Sequence, residues 1–147
     1  MKITFNKYQG AGNDFIIIDN RKGVINPSDS EFINRLCDRK FGIGADGLIL
    51  ISNTPGYDFE MTYFNSDGFE GTMCGNGGRC AADFAIKEGI APENLTFKAI
   101  DGRHEAVAEN GLIRLLMNDV KETRLINGNY FINTGSPHYI VFTRDVA

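Results

Sequence analysis

The amino-acid sequence has 147 residues, of which 42% are hydrophobic and 23% charged, and a formal net charge of −4. This profile is typical of a soluble globular protein with one domain, or with one domain and part of another. Lysine and arginine form no basic run, so we expect no nucleic-acid partner. Apolar runs are strand-sized and no secretory signal stands at the N-terminus, so we expect no membrane contact and a cytoplasmic location.

The first part of the chain predicts two strands and a helix. A strand over about 2–8 leads through the glycine loop QGAGND to the strand FIIID, whose continuous apolar character indicates burial on both faces. Ser28 and Glu31 have the spacing of a capping box, and the following apolar residues share one face, which predicts a helix over about 29–39. Cys37 lies on that face and is interpreted as a core residue.

The stretch FGIGADGLILI matches the pattern G-x-G-x-x-G with Gly42, Gly44 and Gly47. A dinucleotide-binding fingerprint follows a strand and opens a helix, whereas this stretch follows a helix and runs into the strand LILI. We therefore interpret it as a turn that brings the backbone close to another part of the molecule, and not as a nucleotide site.

A strand ending at the turn NSDG precedes a second helix, predicted over about 76–88 and ended by Gly89. This helix is apolar nearly all round, so it belongs inside the fold, between sheets or enclosed by a barrel-like sheet. Cys80 lies within the helix and is interpreted as a core residue. The three cysteines fit neither a disulfide framework nor a zinc site, so no metal site is predicted.

The rest of the chain predicts strands. LTFKAID is one strand, hairpins are expected at Asn110-Gly111 and Asn127-Gly128, and HYIVF is the last strand. QGAGNDFIII and NTGSPHYIVF both lead from a polar glycine loop into an apolar strand, 124 residues apart. If this is a repeat, the counterpart of Cys74 falls at about residue 200, outside the present sequence.

The stretch MCGNGGRC places Cys74 directly before the second predicted helix. The free N–H groups and dipole at a helix start favour a carboxylate and stabilise a thiolate. The spacing alone leaves open whether Cys74 is a reactive thiol or a small buried residue. Three asparagines stand beside glycine in loops, where they act as turn residues or as substrate-binding amides; Asp14, Asp46 and Asp67 are interpreted as turn or cap residues.

In order and approximate spacing, GAGNDF, GIGADG, FNSDG, MCGNGGRC and NTGSPHY make the chain resemble the bacterial diaminopimelate epimerases over about 5–145. The resemblance implies a cofactor-free epimerase of an amino acid, interconverting LL- and meso-diaminopimelate in lysine and cell-wall precursor synthesis. It also implies an α+β fold with a mixed, barrel-like sheet around a central apolar helix. The family has two such pseudo-symmetric domains, with the active site in the cleft between them.

The resemblance also assigns residues. It makes Cys74 one of two acid/base thiols, and the substrate is held by Asn13, Asn65, Asn76 and the backbone of Gly75. His138 matches a histidine of the family. Two departures are Gly47, where some members have glutamine, and Ser136, where others have asparagine and a bond to the distal end of the substrate is in question.

The partner cysteine of the family cannot be Cys37 or Cys80, since both are predicted core residues. We therefore expect residues 1–115 to form the first epimerase domain and 116–147 to begin an incomplete second one. The chain alone is expected not to complete epimerisation, and the full-length protein is expected to be a homodimer.

Three alternatives stay open at this point. One is a proline racemase-like isomerase of the same fold, and another is a non-catalytic module that binds carboxylates. The third is a thiol nucleophile of the glutamine amidohydrolase kind, which requires His104 or His138 within hydrogen-bond reach of Cys74.

Overall fold

The fold, described for residues 2–145 of a computed structural model, contains two helices and ten strands in two sheets. In chain order the elements are β1 Asn6–Gly10, β2 Asn13–Asp19, α1 Ser30–Cys37, β3 Gly47–Ser52, β4 Phe59–Asn65, α2 Gly75–Lys87, β5 Asn94–Ala99, β6 Gly102–Glu109, β7 Leu112–Leu116, β8 Thr123–Ile126, β9 Asn129–Asn133 and β10 Pro137–Ile140.

The first seven strands form one mixed sheet in which every strand neighbours the next one along the chain. β2 pairs with β3, and β4 with β5, in parallel; the other neighbouring pairs are antiparallel. Parallel neighbours need a crossover connection, and the two crossovers carry α1 and α2. The remaining strands form a second sheet in the order β10, β9, β8.

The strands β2 and β3 are buried on both faces, as predicted for FIIID of β2. Phe15 and Ile17 belong to the core cluster that contains α2, while Ile16 and Ile18 belong to the cluster that contains Ile33 and Cys37 of α1. Successive side chains of a strand point to opposite faces, so a continuous apolar run serves two cores.

The helix α2 lies inside the curled seven-stranded sheet, and contacts β1, β2, β3, β4, β6 and β7. Its buried residues are small except for one phenylalanine: Gly77, Gly78, Cys80, Ala81, Ala82, Phe84 and Ala85. A Cβ atom at Gly78 would lie 2.7 Å from Met73 Cε and 3.0 Å from Leu115 Cδ2, so a side chain there would require these two side chains to move. This confirms the α+β fold with a sheet wrapped around a central apolar helix.

Four predicted boundaries were wrong. β1 begins at Asn6, where pairing with Ile17 of β2 starts, and not at residue 2. The helix α1 is capped by Asp29, whose side chain accepts a hydrogen bond from Phe32 N at 3.0 Å, and not by Ser28. It ends at Cys37 because Asp38 has an extended backbone. β10 ends at Ile140, opposite the start of β9.

Both predicted hairpin turns are confirmed. Asn110 and Gly111 have φ angles of 53° and 76°, and Asn127 and Gly128 have 51° and 78°. Positive φ at both central residues is the geometry of the type I′ turn, which Asn-Gly adopts with little strain. Within residues 2–145, no helix has the length and apolarity needed to cross a membrane.

Candidate active site

A cleft of about 490 Å³ opens at the N-terminal end of α2. It is lined by residues of both sheets and their loops: Tyr63, Asn65, Thr72, Met73, Cys74, Gly75, Asn76, Arg79, Met117, Thr134, Ser136 and His138. A larger cavity of about 600 Å³ lies along the segment 119–133, and none of the predicted site residues lines it. The smaller cleft is therefore the candidate site.

Cys74 is half-buried and occupies the N-cap position of α2, with an extended backbone at φ −109° and ψ 120°. Its carbonyl accepts the first intrahelical hydrogen bond, from Gly78 N at 2.8 Å. The N–H groups of Gly75, Asn76 and Gly77 precede that bond, and such groups at a helix start attract anions. The thiol thus lies beside a set of amides suited to a carboxylate.

Asn13 reaches Cys74 from the start of β2, although 61 residues separate them in the chain. The thiol Sγ donates a hydrogen bond to Asn13 Oδ1 at 3.5 Å. On its other side, Asn13 Nδ2 donates to Asp46 Oδ2 at 2.8 Å. The start of β2 and the loop before β3 therefore meet next to the thiol.

The other two predicted asparagines line the cleft from separate elements. Asn65 is the last residue of β4, and its carbonyl accepts a hydrogen bond from Gly68 N at 2.9 Å, which closes the NSDG turn. Asn76 lies in the first turn of α2, and its side-chain oxygen accepts a hydrogen bond from the guanidinium of Arg79. That contact places Arg79, which the sequence interpretation did not single out, at the rim of the cleft.

His138 comes to the cleft from β10 of the second sheet, and Ser136 from the loop between β9 and β10. Ser136 Oγ lies 2.5 Å from Thr72 Oγ1 and donates to the carbonyl of Met73 at 3.3 Å. His138 Nε2 lies 3.1 Å from Thr134 Oγ1. The bonds of Ser136 attach the second sheet to the loop that carries Cys74, whereas the contact between His138 and Thr134 lies within the β9–β10 hairpin. Whether either side chain contacts a substrate stays a prediction.

The structure offers no support for a Cys-His pair. His104 is buried, with Nε2 2.8 Å from Asp101 Oδ1 and its ring stacked on Phe97 at 5.3 Å, and it does not line the cleft. His138 lines the cleft, but among residues 2–145 its hydrogen bond goes to Thr134, while the thiol of Cys74 bonds to Asn13. This geometry disfavours the amidohydrolase alternative.

Cys37 and Cys80 are core residues, as predicted. Their exposed fractions are 3% and 4%, and burial raises the pKa of each thiol to about 11. A thiol that stays protonated is a poor base, because the thiolate is the reactive form. Neither is a candidate for a second catalytic thiol.

The glycine-rich turn before β3 packs closely against β4, and its missing side chains leave space for residues of that strand. A Cβ atom at Gly47 would lie 2.4 Å from Tyr63 Cε2 and 2.5 Å from the carbonyl oxygen of Phe64. The prediction that this turn brings the backbone close to another part of the molecule is therefore confirmed. Tyr63, which fills that space, also lines the cleft; burial, with a smaller effect of Cys74, raises its pKa to about 12.

Asp14, next to Asn13 in β2, forms ion pairs with Arg39 and Lys7, and its replacement by asparagine is expected to lower the stability of the fold. The carboxylate accepts from Arg39 at 2.7 Å and from Lys7 at 2.8 Å, and these bonds hold its pKa well below the usual range. A free aspartate titrates near pH 4, so the native ion pairs stabilise the fold above that pH and lose their effect as the pH falls further.

The difference in thermal unfolding midpoint between the wild type and Asp14→Asn should therefore be widest near pH 7 and narrow below about pH 4. Asp119→Asn is the matched control, because Asp119 is exposed and forms no ion pair within residues 2–145. A gap that stays constant between pH 7 and pH 3 would contradict this account.

Comparison of the sequence with known proteins identifies one family that matches most of the chain. The sequence profile described as "Diaminopimelate epimerase" matches residues 5–121. The diaminopimelate epimerase of Flavobacterium psychrophilum is 51% identical over 142 residues, covering 96% of this chain and 56% of the relative. That of Chlorobaculum tepidum is 46% identical over 145 residues, covering 93% of this chain and 56% of the relative. The chain thus spans about half the length of the curated relatives it matches.

Among solved structures, a hydroxyproline epimerase from Agrobacterium vitis, crystallised with trans-4-hydroxy-L-proline, has the same fold. The TM-score is 0.65 at 8% sequence identity, over 93% of this chain and 50% of that one. At this identity the likeness concerns the fold alone.

Proposed function

The chain belongs to the diaminopimelate epimerase family, and from that premise we propose that it supplies one of two catalytic domains of a cofactor-independent isomerase. The proposed reaction interconverts LL- and meso-diaminopimelate, in the synthesis of lysine and of peptidoglycan precursors. The observation that carries the proposal is the position of Cys74: a half-buried thiol at the start of a central helix, in a cleft lined by both sheets.

The cleft has groups suited to an amino acid. The amides of Gly75, Asn76 and Gly77 at the helix start would hold the α-carboxylate, since N–H groups there attract anions. The side chains of Asn65 and Asn76 offer hydrogen bonds to the substrate from the same cleft, and Asn13 lies against the thiol. Donors aimed at the carboxylate also stabilise the negative charge that develops when the α-proton leaves.

Inversion at the α-carbon requires two acid/base groups on opposite faces. A thiolate on one face takes the α-proton, and the electron pair of the broken C–H bond remains on the α-carbon and delocalises into the carboxylate. A thiol on the opposite face then donates its proton to that carbon, so the configuration changes and no atom is gained or lost. Cys74 is the proposed group on one face.

The second thiol is proposed to come from outside these 147 residues, because Cys37 and Cys80 are buried in the core. A domain boundary near residue 115, a homodimer of the full-length protein and a cytoplasmic location belong to the same proposal. The boundary is supported by the end of the seven-stranded sheet at Leu116. It is also supported by the second sheet, in which no residue over 123–140 is buried.

The test is deuterium exchange at the α-carbon. The chain is incubated with LL-diaminopimelate in D2O, alone and together with the remaining part of the Flavobacterium psychrophilum relative, and the α-proton signal and product configuration are followed by NMR. We expect no epimerisation by the chain alone, and exchange with formation of the meso isomer in the complemented sample. Epimerisation by the pure chain would contradict the need for a second thiol from elsewhere.

The same assay separates the alternatives. Exchange of proline but not of diaminopimelate would favour the proline racemase-like isomerase. Binding of diaminopimelate without exchange in a complemented sample that assembles would favour the non-catalytic module.

A further inference from the structure

We infer that Asp46 is a positioning residue for Cys74: its carboxylate holds the side-chain amide of Asn13 so that the amide oxygen faces the thiol. The inference rests on the proposed function, in which Cys74 exchanges a proton with the substrate. Asp46 lies in the turn before β3 and acts on the thiol only through Asn13, without contacting it.

The hydrogen bonds fix the orientation of the amide. Asp46 Oδ2 accepts from Asn13 Nδ2 at 2.8 Å and from Asp14 N at 3.1 Å. An ionised carboxylate can only accept, so a rotated amide would set its oxygen against Asp46 Oδ2 and lose the bond. The bond from Asn13 is also the main cause that lowers the pKa of Asp46 below its usual range, which keeps the carboxylate ionised.

Asp46 is itself held in place by a second charged group. Its Oδ1 accepts from the Arg39 guanidinium at 2.8 Å, and its own N–H donates to the Asp14 carbonyl at 3.1 Å. The carboxylate thus has one oxygen for Arg39 and the other for Asn13. The side-chain amide of Asn13 therefore connects the ion pairs among Asp14, Arg39 and Asp46 to the thiol of Cys74.

The consequence concerns the protonation of Cys74. The amide oxygen of Asn13 lies 3.5 Å from Sγ of Cys74 and accepts a hydrogen bond from the S–H group of the thiol. A thiolate at the same position would be repelled by the lone pairs of that oxygen. The fixed amide therefore favours the thiol, the form that donates a proton to the substrate. A freely rotating amide could instead present its NH2 group and favour the thiolate.

The other titratable and charged groups around Cys74 are Tyr63 from β4, Arg79 and Cys80 from α2, and His138 from β10. The charge of Asp46 also acts on Tyr63, where it contributes to the raised pKa of the phenol. Asp46→Ala and Asp46→Asn remove this charge equally, so a difference between these two variants can be assigned to the amide that the side chain at position 46 holds.

The test measures alkylation of Cys74 by iodoacetamide in the 147-residue chain, followed by peptide mass spectrometry between pH 6 and pH 10. Alkylation depends on the thiolate fraction. We expect Asp46→Ala to speed alkylation at pH 7 roughly three- to tenfold and to move the pH–rate profile to lower pH. Asp46→Asn, which keeps an oxygen for Asn13 Nδ2, is expected to stay within about twofold of the wild type.

Two further variants separate positioning from stability and charge. Arg39→Gln removes the ion pairs that Arg39 forms with Asp46 and Asp14 but leaves the bond between Asp46 and Asn13, so it should lower the unfolding midpoint without accelerating alkylation. In a chain that already carries Asn13→Ala, adding Asp46→Ala should change the alkylation rate of Cys74 no more than Asp46→Asn changes it in the wild-type chain.

Equal acceleration by Asp46→Ala and Asp46→Asn would overturn the inference, because charge alone would then explain the effect. An unchanged profile in a folded Asp46→Ala chain would overturn it as well. No substrate enters this assay, so its result is independent of the exchange experiment that tests the proposed function.

Discussion

Replacing Cys74 with serine is expected to abolish α-proton exchange in the complemented enzyme. An alcohol ionises far less readily than a thiol, and general acid–base groups contribute roughly 10²- to 10⁴-fold to rate, so we expect a loss of about a thousandfold or more. The α2 start should be preserved, because the Cys74 side chain forms no capping hydrogen bond. The measurement is deuterium incorporation into LL-diaminopimelate, followed by NMR, with circular dichroism to verify the fold.

Cys80→Ala is the matched control for this prediction. Cys80 lies on the same helix two turns further in, is 4% exposed and faces the core. The variant should lose about 1 kcal/mol of unfolding free energy while exchange persists in the folded protein. Exchange by Cys74→Ser within tenfold of the wild type would assign the acid/base role to another group.

Much of the fold follows from local sequence patterns. The apolar run of β2, the wide apolar face of α2 and the two Asn-Gly turns each have one favourable structural solution, and the structure adopts it. Boundaries such as Ser28 against Asp29 are less determined, because either side chain can cap a helix and packing decides between them.

The site was predictable from the residues only where its functional groups are consecutive in the sequence. Cys74 and its glycines form a helix start that can be read directly, and the resemblance to a family brought in Asn13 and Asn65. The bond between Asn13 and Asp46 spans 33 residues and depends on how two loops meet. The same holds for Tyr63, whose ring occupies the space that a side chain at Gly47 would fill and also lines the cleft.

Replacing Gly68 with alanine is expected to destabilise the fold by about 2 to 5 kcal/mol. Gly68 is buried in the NSDG turn with φ +88°, and an added Cβ would lie 2.0 Å from the carbonyl oxygen of Ser30 at the start of α1. The turn cannot move away freely, because Asn34 Nδ2 donates to the carbonyl of Ser66 at 2.8 Å. Urea unfolding of the wild type and the variant measures the loss.

Gly56→Ala separates backbone strain from this clash. Gly56 has φ +82° and nothing within 4 Å of an added Cβ, so alanine there carries only the strain of a left-handed backbone, about 1 to 2 kcal/mol. Because Gly68 N bonds to the carbonyl of Asn65, displacement of the turn also moves a predicted substrate-binding residue. Gly68→Ala should therefore weaken exchange in the complemented enzyme even where it remains folded, whereas Gly56→Ala should not. Equal losses of stability at the two glycines would mean that the turn yields to the added methyl group and that its contact with α1 does not fix Asn65.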